Sequence, residues 1–171
     1  MGLYGERVLP RIVNVACGNK TLQPLRRRAC AGLAGDVVEI GFGSGLNVPY
    51  YPAAVTRVVA VDPSEVGWQL AGRRLSATNI PVQRTGLDGQ SLPFPDDSFD
   101  AALSTWTLCT IPDVTTALAE VRRVLKPGGR CTSSSTGWPR TSRCSAGNGA
   151  SNRSRSGSSA DVTSPGRSST C

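Results

Sequence analysis

The stretch V-V-E-I-G-F-G-S-G-L-N, residues 37–47, constrains the fold of this 171-residue chain more than any other. It opens on a short β-branched run, the pattern of a strand buried on both faces of a parallel sheet. Gly41, Gly43 and Gly45 follow at alternate positions. Glycine there lets the backbone turn tightly and approach a ligand with no Cβ in the way. A strand that runs into such a turn presents backbone N–H groups to a polar ligand. Glu39, two residues before the first glycine, would be unhelpful beside a pyrophosphate but suits a ligand that carries an ammonium group. A dinucleotide fingerprint, G-x-G-x-x-G, would want glycine where this chain has Leu46, so a nicotinamide-dependent reductase is the weaker reading.

The elements around the loop can be read in order. Residues 8–17 keep a helical apolar spacing that ends at Gly18, and Thr21 is placed to cap a second helix that runs to Leu33 and closes at Gly35. Arg26, Arg27 and Arg28 read as a solvated helix face, with an anion or membrane-surface contact as the alternative. A short helix is expected within 47–54, interrupted by Pro49 and Pro52. The second strand, R-V-V-A-V, ends at Asp62. An acidic residue 21 positions after Gly41 at a strand end can bind ribose hydroxyls, and it can equally cap the next helix. Pro63 and Ser64 open a helix to about Ala77, and residues 81–84 form a brief third strand. Residues 100–109 read as the fourth strand, and 114–125 as an amphipathic helix stopped by Lys126-Pro127-Gly128-Gly129.

Three runs together resemble the class I S-adenosylmethionine-dependent methyltransferases, with methyltransferase type 11 and a thiol-methyltransferase-like flavour as the nearest group. They are E-I-G-F-G-S-G at 39–45, L-P-F-P-D-D-S-F-D at 92–100 and E-V-R-R-V-L-K-P-G-G at 120–129. The resemblance spans residues 36–129. It implies an α/β, Rossmann-like, doubly wound parallel sheet and S-adenosyl-L-methionine as cofactor. The implied contacts are Glu39, Gly41, Gly43, Gly45, Asp62, Pro63, Asp88, Gly89 and Gln90, with Asp88 reaching the adenine amino group. Read without the resemblance, Asp88 is a turn residue. The partner implied is a small-molecule methyl acceptor. Residues 1–35 would be a helical segment, with a lid role over the cofactor as one option. No catalytic base is needed to move a methyl from a sulfonium, and none is assigned.

Composition narrows the alternatives. The chain has no histidine, which removes Ser-His-Asp triads and His-ligated metals. Its six cysteines form no C-x-x-C pair, so neither a zinc site nor a redox motif is indicated, and reduced thiols in a cytoplasmic protein are expected. The net charge of +7 lies mostly in residues 130–171, which hold 6 Lys and Arg against 1 Asp; no basic face for nucleic acid is built. No apolar run is long enough for a membrane span.

From residue 130 to 171 there is no Leu, Ile, Phe, Tyr or Met. Such a segment reads as a disordered Ser- and Arg-rich tail. With GC-rich codons and one nucleotide restored after Arg130, Arg-Cys-Thr-Ser-Ser-Ser-Thr-Gly-Trp-Pro becomes Arg-Leu-His-Phe-Val-Glu-His-Gly-Leu-Ala-Pro, an apolar strand. Residues 131–171 are therefore expected to be an out-of-frame translation. The sheet would then stop at about four strands and leave the fourth as a bare edge, which makes a weakly active enzyme or an inactive cofactor-binding remnant the expected outcome.

Overall fold

The computed structural model describes residues 8–85, 89–134 and 140–143. Two short helices, α1 (Leu9–Cys17) and α2 (Gln23–Cys30), precede the sheet. Thr21 does not cap α2. Asn19 instead caps an intervening 3₁₀ turn, its side chain accepting from the Thr21 amide (3.2 Å), and the helix proper starts at Gln23. Then follow β1 (Gly35–Ile40), β2 (Val55–Val61), α3 (Glu65–Leu75), β3 (Val82–Thr85), β4 (Phe99–Thr105), α4 (Val114–Val124), β5 (Leu125–Ser134) and β6 (Arg140–Arg143). The segment expected to be helical before β2 forms only a 3₁₀ turn, Val48–Tyr50, because its two prolines remove the donors a longer helix needs.

The strands lie in the order β3-β2-β1-β4-β5-β6, with every neighbouring pair parallel except β5 and β6. The sheet is covered on both faces, as a parallel sheet must be. On one face Val121, Val124 and Leu125 pack on Val38, Ile40, Phe99 and Ala102. On the other, Ala29, Cys30 and Leu33 pack on Val37, Val58, Ala101 and Leu103, and Ala71 of α3 packs with Ala60 and Phe42. This is the doubly wound α/β architecture read from the sequence.

The sheet does not end at four strands. Arg130–Ser134, expected in the tail, pair in register with Ala101–Thr105, so β4 is an interior strand and not a bare edge. Arg140–Arg143 then pair antiparallel with β5. Backbone pairing explains the extension: ladder hydrogen bonds are open to any side chain that tolerates extended geometry, including Ser and Thr. The side chains fit less well. Thr132 and Ser134 are 0% and 3% exposed, and neither hydroxyl has a hydrogen-bond partner. Among the described residues no helix is long and apolar enough to cross a membrane.

Candidate functional site

Strand order reverses between β1 and β4, since β1 is followed by β2 on one side and β4 lies on the other. Ligands of open α/β sheets bind outside the carboxyl ends of the strands at such a point. The glycine loop sits there. Gly41, Gly43 and Gly45 have φ of 76°, 55° and 71°, the left-handed region that side-chain-bearing residues rarely adopt. Gly41 is close-packed: a Cβ on it would lie 1.9 Å from Thr107 Oγ1. Gly43 is the opposite, since a Cβ there would meet nothing within 4 Å. The backbone at Gly43 thus faces open space, a cradle that any side chain would begin to fill.

Asp62 follows β2 and is tied to this loop. Its Oδ2 accepts from the Gly43 amide (2.7 Å), and its Oδ1 accepts from the Ser64 amide (2.7 Å). The helix-capping alternative is realised at Ser64, while each carboxylate oxygen retains a second lone pair for a ligand hydroxyl. Pro63 lies between the two ties. Gly89 joins from the next loop: its φ is 83°, and a Cβ would come within 2.9 Å of the Ile40 side chain, one residue before Gly41. The Gln90 side chain accepts from the Asp113 amide (3.3 Å). Asp88 lies outside the described residues.

Glu39 is not on the surface of the site. It is 0% exposed, and its carboxylate accepts from Asn47 Nδ2 (2.8 Å) and from the Tyr51 hydroxyl. Asn47 also donates to Thr105 Oγ1 (2.8 Å) and accepts from Arg26 Nη1 (2.8 Å). Arg26 donates further to the Cys17 carbonyl (3.0 Å), and its guanidinium lies 4.6 Å from the centroid of the Trp106 ring. A buried polar network therefore runs from the N-terminal helices under the glycine loop to the end of β4. Trp106 itself has φ of 55°, a strained conformation for a bulky residue at the strand's carboxyl end. That kink ends β4 at Thr105, four residues before the expected end.

Sequence reading missed Asn47, Tyr51 and Trp106, and it misplaced Arg26. Arg27 and Arg28 are exposed as expected, but Arg26 is 5% exposed. The signal was present: Arg26, Ala29, Cys30 and Leu33 are spaced three, four and seven apart, so the arginine belongs to the buried stripe.

Burial pushes the Glu39 carboxyl up to about 7, against the Tyr51 and Asn47 hydrogen bonds and the Arg26 charge, which pull it down. A carboxyl whose folded pKa exceeds its unfolded value contributes stability that is full below about 4.5 and lost as pH rises through about 7. Glu39→Gln, always neutral, should flatten this dependence. The parent should gain up to about 3 kcal/mol on acidification from pH 8 to pH 5 that the variant does not. Urea titrations at the two pH values check this; an equal gain in the variant would assign the pH dependence elsewhere.

The second and third sequence motifs prove to be one mechanical unit. From α4, Glu120 and Arg123 form a bidentate pair (2.7 and 2.8 Å). Arg123 also donates to the Leu92 and Phe94 carbonyls and to Asp96 Oδ1, each at 2.8 Å, while Glu120 accepts from the Leu92 amide (2.9 Å). Those bonds hold Glu120 down at about 2. The loop that carries Gly89 and Gln90 is thus splinted along α4. Arg123→Ala should lower stability, since it strips donors from two backbone carbonyls and two carboxylates. It should also raise the protease sensitivity of 89–96; unchanged protease sensitivity and an unchanged urea midpoint would show the splint to be idle.

One groove is not a candidate site. About 800 Å³ in volume, it is lined by Asn14, Tyr51, Leu70, Arg74 and Ile80 and opens between α1 and α3, close to the amino ends of β2 and β3.

Comparison with known proteins fits this geometry. A family model described as a methyltransferase domain matches residues 38–133. A demethylmenaquinone methyltransferase from Clavibacter sepedonicus is 39% identical over 104 residues, 60% of this chain and 42% of that protein. A 2-phytyl-1,4-naphtoquinone methyltransferase from Synechococcus elongatus is 39% identical over 109 residues, 58% of this chain and 46% of that protein. A solved SAM-dependent methyltransferase from Thermotoga maritima superposes with a TM-score of 0.54 at 31% identity, covering 72% of this chain and 55% of that one. The chain spans less than half the length of the curated relatives it matches.

Proposed function

The chain belongs to the methyltransferase-domain family, and on that footing we propose that it binds S-adenosylmethionine at the glycine loop and transfers the methyl group to a small-molecule acceptor of the quinol type. The observation that carries this is the open space over Gly43 with Asp62 tied beside it at the reversal of strand order. The left-handed glycines bring backbone within reach of the cofactor's amino-acid end, and Asp62, with Pro63 beside it, takes the ribose hydroxyls. Gly89 and Gln90 are assigned to the adenine's border, and Asp88 to its amino group on the strength of the motif. Glu39 works from below as a positioning residue: its carboxylate holds Tyr51 and Asn47, and Asn47 sits within the loop's own turn.

S-adenosylmethionine brings a methyl already activated on a sulfonium. What the protein adds is alignment of the acceptor with it, a contribution on the order of 7–11 kcal/mol at best. The sulfonium leaves as a neutral thioether and the proton lost by the quinol passes to solvent; no side chain is assigned to accept it. The quinol class is supported by the relatives, two of which are named for quinone-type substrates, and by an aromatic residue, Trp106, at the carboxyl end of β4. Incubation with methyl-labelled S-adenosylmethionine and a panel of naphthoquinols, benzoquinols and thiols tests it. Label is expected in a quinol; label in the thiols alone would refute the quinol class, and label in none would leave a cofactor-binding module.

Residues 131–171 are proposed to be out of frame. The two unpartnered hydroxyls buried on β5 support that reading, because a strand interior to a sheet ordinarily carries apolar side chains at those places.

A further inference from the structure

Helix α1 is packed inside out. Among its described side chains the least exposed are Pro10, Asn14 and Cys17, one helical face by their spacing. Asn14 is the anchor: its side-chain oxygen accepts from Ser44 Oγ (2.7 Å) on the glycine loop. Four valine and isoleucine side chains point outward instead. Val8, Ile12, Val13 and Val15 are 41%, 48%, 46% and 76% exposed. Val8, Ile12 and Val15 follow the four- and three-residue steps of a single helical stripe. An amphipathic helix normally buries its apolar stripe, so this one is built to meet something else.

The charges around it indicate what. Residues 8–30 carry five cations, Arg11, Lys20, Arg26, Arg27 and Arg28, and not one Asp or Glu. Arg26 is buried in the network; Arg11, Lys20, Arg27 and Arg28 have exposed side chains, with the Arg27 guanidinium 5.9 Å from the centroid of the Tyr50 ring. An outward apolar stripe in a segment whose charges are all cations is the composition that settles at an anionic lipid–water interface, apolar residues in the acyl boundary and cations at the headgroups. A second copy of the chain would bring the same cations against its own, which disfavours a paired arrangement of this face.

We infer that α1 docks the protein on an anionic membrane surface. Because Asn14 ties α1 to Ser44, docking sets the glycine loop at a fixed orientation to the bilayer. Lipid binding of this kind would hold whatever the acceptor, so a failed acceptor assay leaves it standing.

The test is flotation of the full chain with vesicles of phosphatidylcholine alone or with about a third phosphatidylglycerol. The expected result is binding to the anionic vesicles that weakens at 0.5 M salt. Ile12→Ser with Val15→Ser should reduce it at least about tenfold, and Arg11→Gln with Lys20→Gln by roughly fivefold per cation. Val15→Ser alone, at the most exposed position, serves if the double variant loses its helix content by circular dichroism. Absence of binding to anionic vesicles, or binding that Ile12→Ser and Val15→Ser leave unchanged, overturns the inference. So does a dimer in sedimentation that Val15→Ser dissolves, which would make a second copy the occupant.

Discussion

Gly43→Leu should abolish S-adenosylmethionine binding in a protein that still folds, whereas Gly41→Ala, a smaller change two residues away, should chiefly cost stability. Both glycines have left-handed φ, so any side chain costs roughly 1–2 kcal/mol of backbone strain at either position. Their surroundings separate them. A Cβ at Gly43 meets no atom within 4 Å, so the leucine extends into the space assigned to the ligand. Calorimetry should show affinity reduced by at least about a hundredfold, close to 3 kcal/mol. At Gly41 the new methyl would lie 1.9–2.3 Å from three atoms of the Thr107 side chain, which is itself bonded back to the Gly41 carbonyl (3.3 Å). Overpacking adds about 1–3 kcal/mol to the strain, a large cut into a net stability of about 5–15 kcal/mol, read as a lower midpoint in urea. Unimpaired binding by Gly43→Leu would move the cofactor away from this loop.

Thr132→Val combined with Ser134→Ala should stabilise the chain by roughly 2–5 kcal/mol, an unusual sign for a double core substitution. Thr132 Oγ1 and Ser134 Oγ are buried without partners, and each orphaned hydroxyl forfeits its hydration for nothing in return. Valine replaces threonine at nearly constant volume, so the gain comes without a cavity. Thermal and urea denaturation measure it; a loss of stability would mean that these hydroxyls are satisfied in solution, and the support they lend to the frame reading would fall with it. If residues 131–171 are out of frame, restoring one nucleotide after codon 130 should raise stability further, because Leu-His-Phe-Val would then stand at 131–134.

The sheet and the loop were legible because both rest on local rules. Val37, Val38 and Ile40 declare a doubly buried strand, and the alternate glycines declare a turn that only glycine can make. The distance of Asp62 from Gly41 put it beside the loop, where it accepts from the Gly43 amide. What escaped reading was long-range. The partners of Glu39, Tyr51 and Asn47, are 12 and 8 residues away and carry no periodic signal. Arg26 reaches Thr105 across 79 residues, and a charged residue inside a run of three arginines reads as solvated until its stripe is counted. The exposed face of α1 was legible as amphipathic, but which side faced inward was decided by Asn14 and Ser44, not by hydropathy. The fifth strand was hidden for a different reason. Side-chain pattern predicted a tail, whereas backbone pairing to Ala101–Thr105 made a strand of it.

Titration of the chain with S-adenosylmethionine and, separately, with NADH by isothermal calorimetry is the most direct test of the site. Saturable one-to-one binding of S-adenosylmethionine, lost in Gly43→Leu, with no heat from NADH, is the predicted result. Binding of NADH, or no binding of S-adenosylmethionine to a chain shown by circular dichroism to be folded, would contradict it.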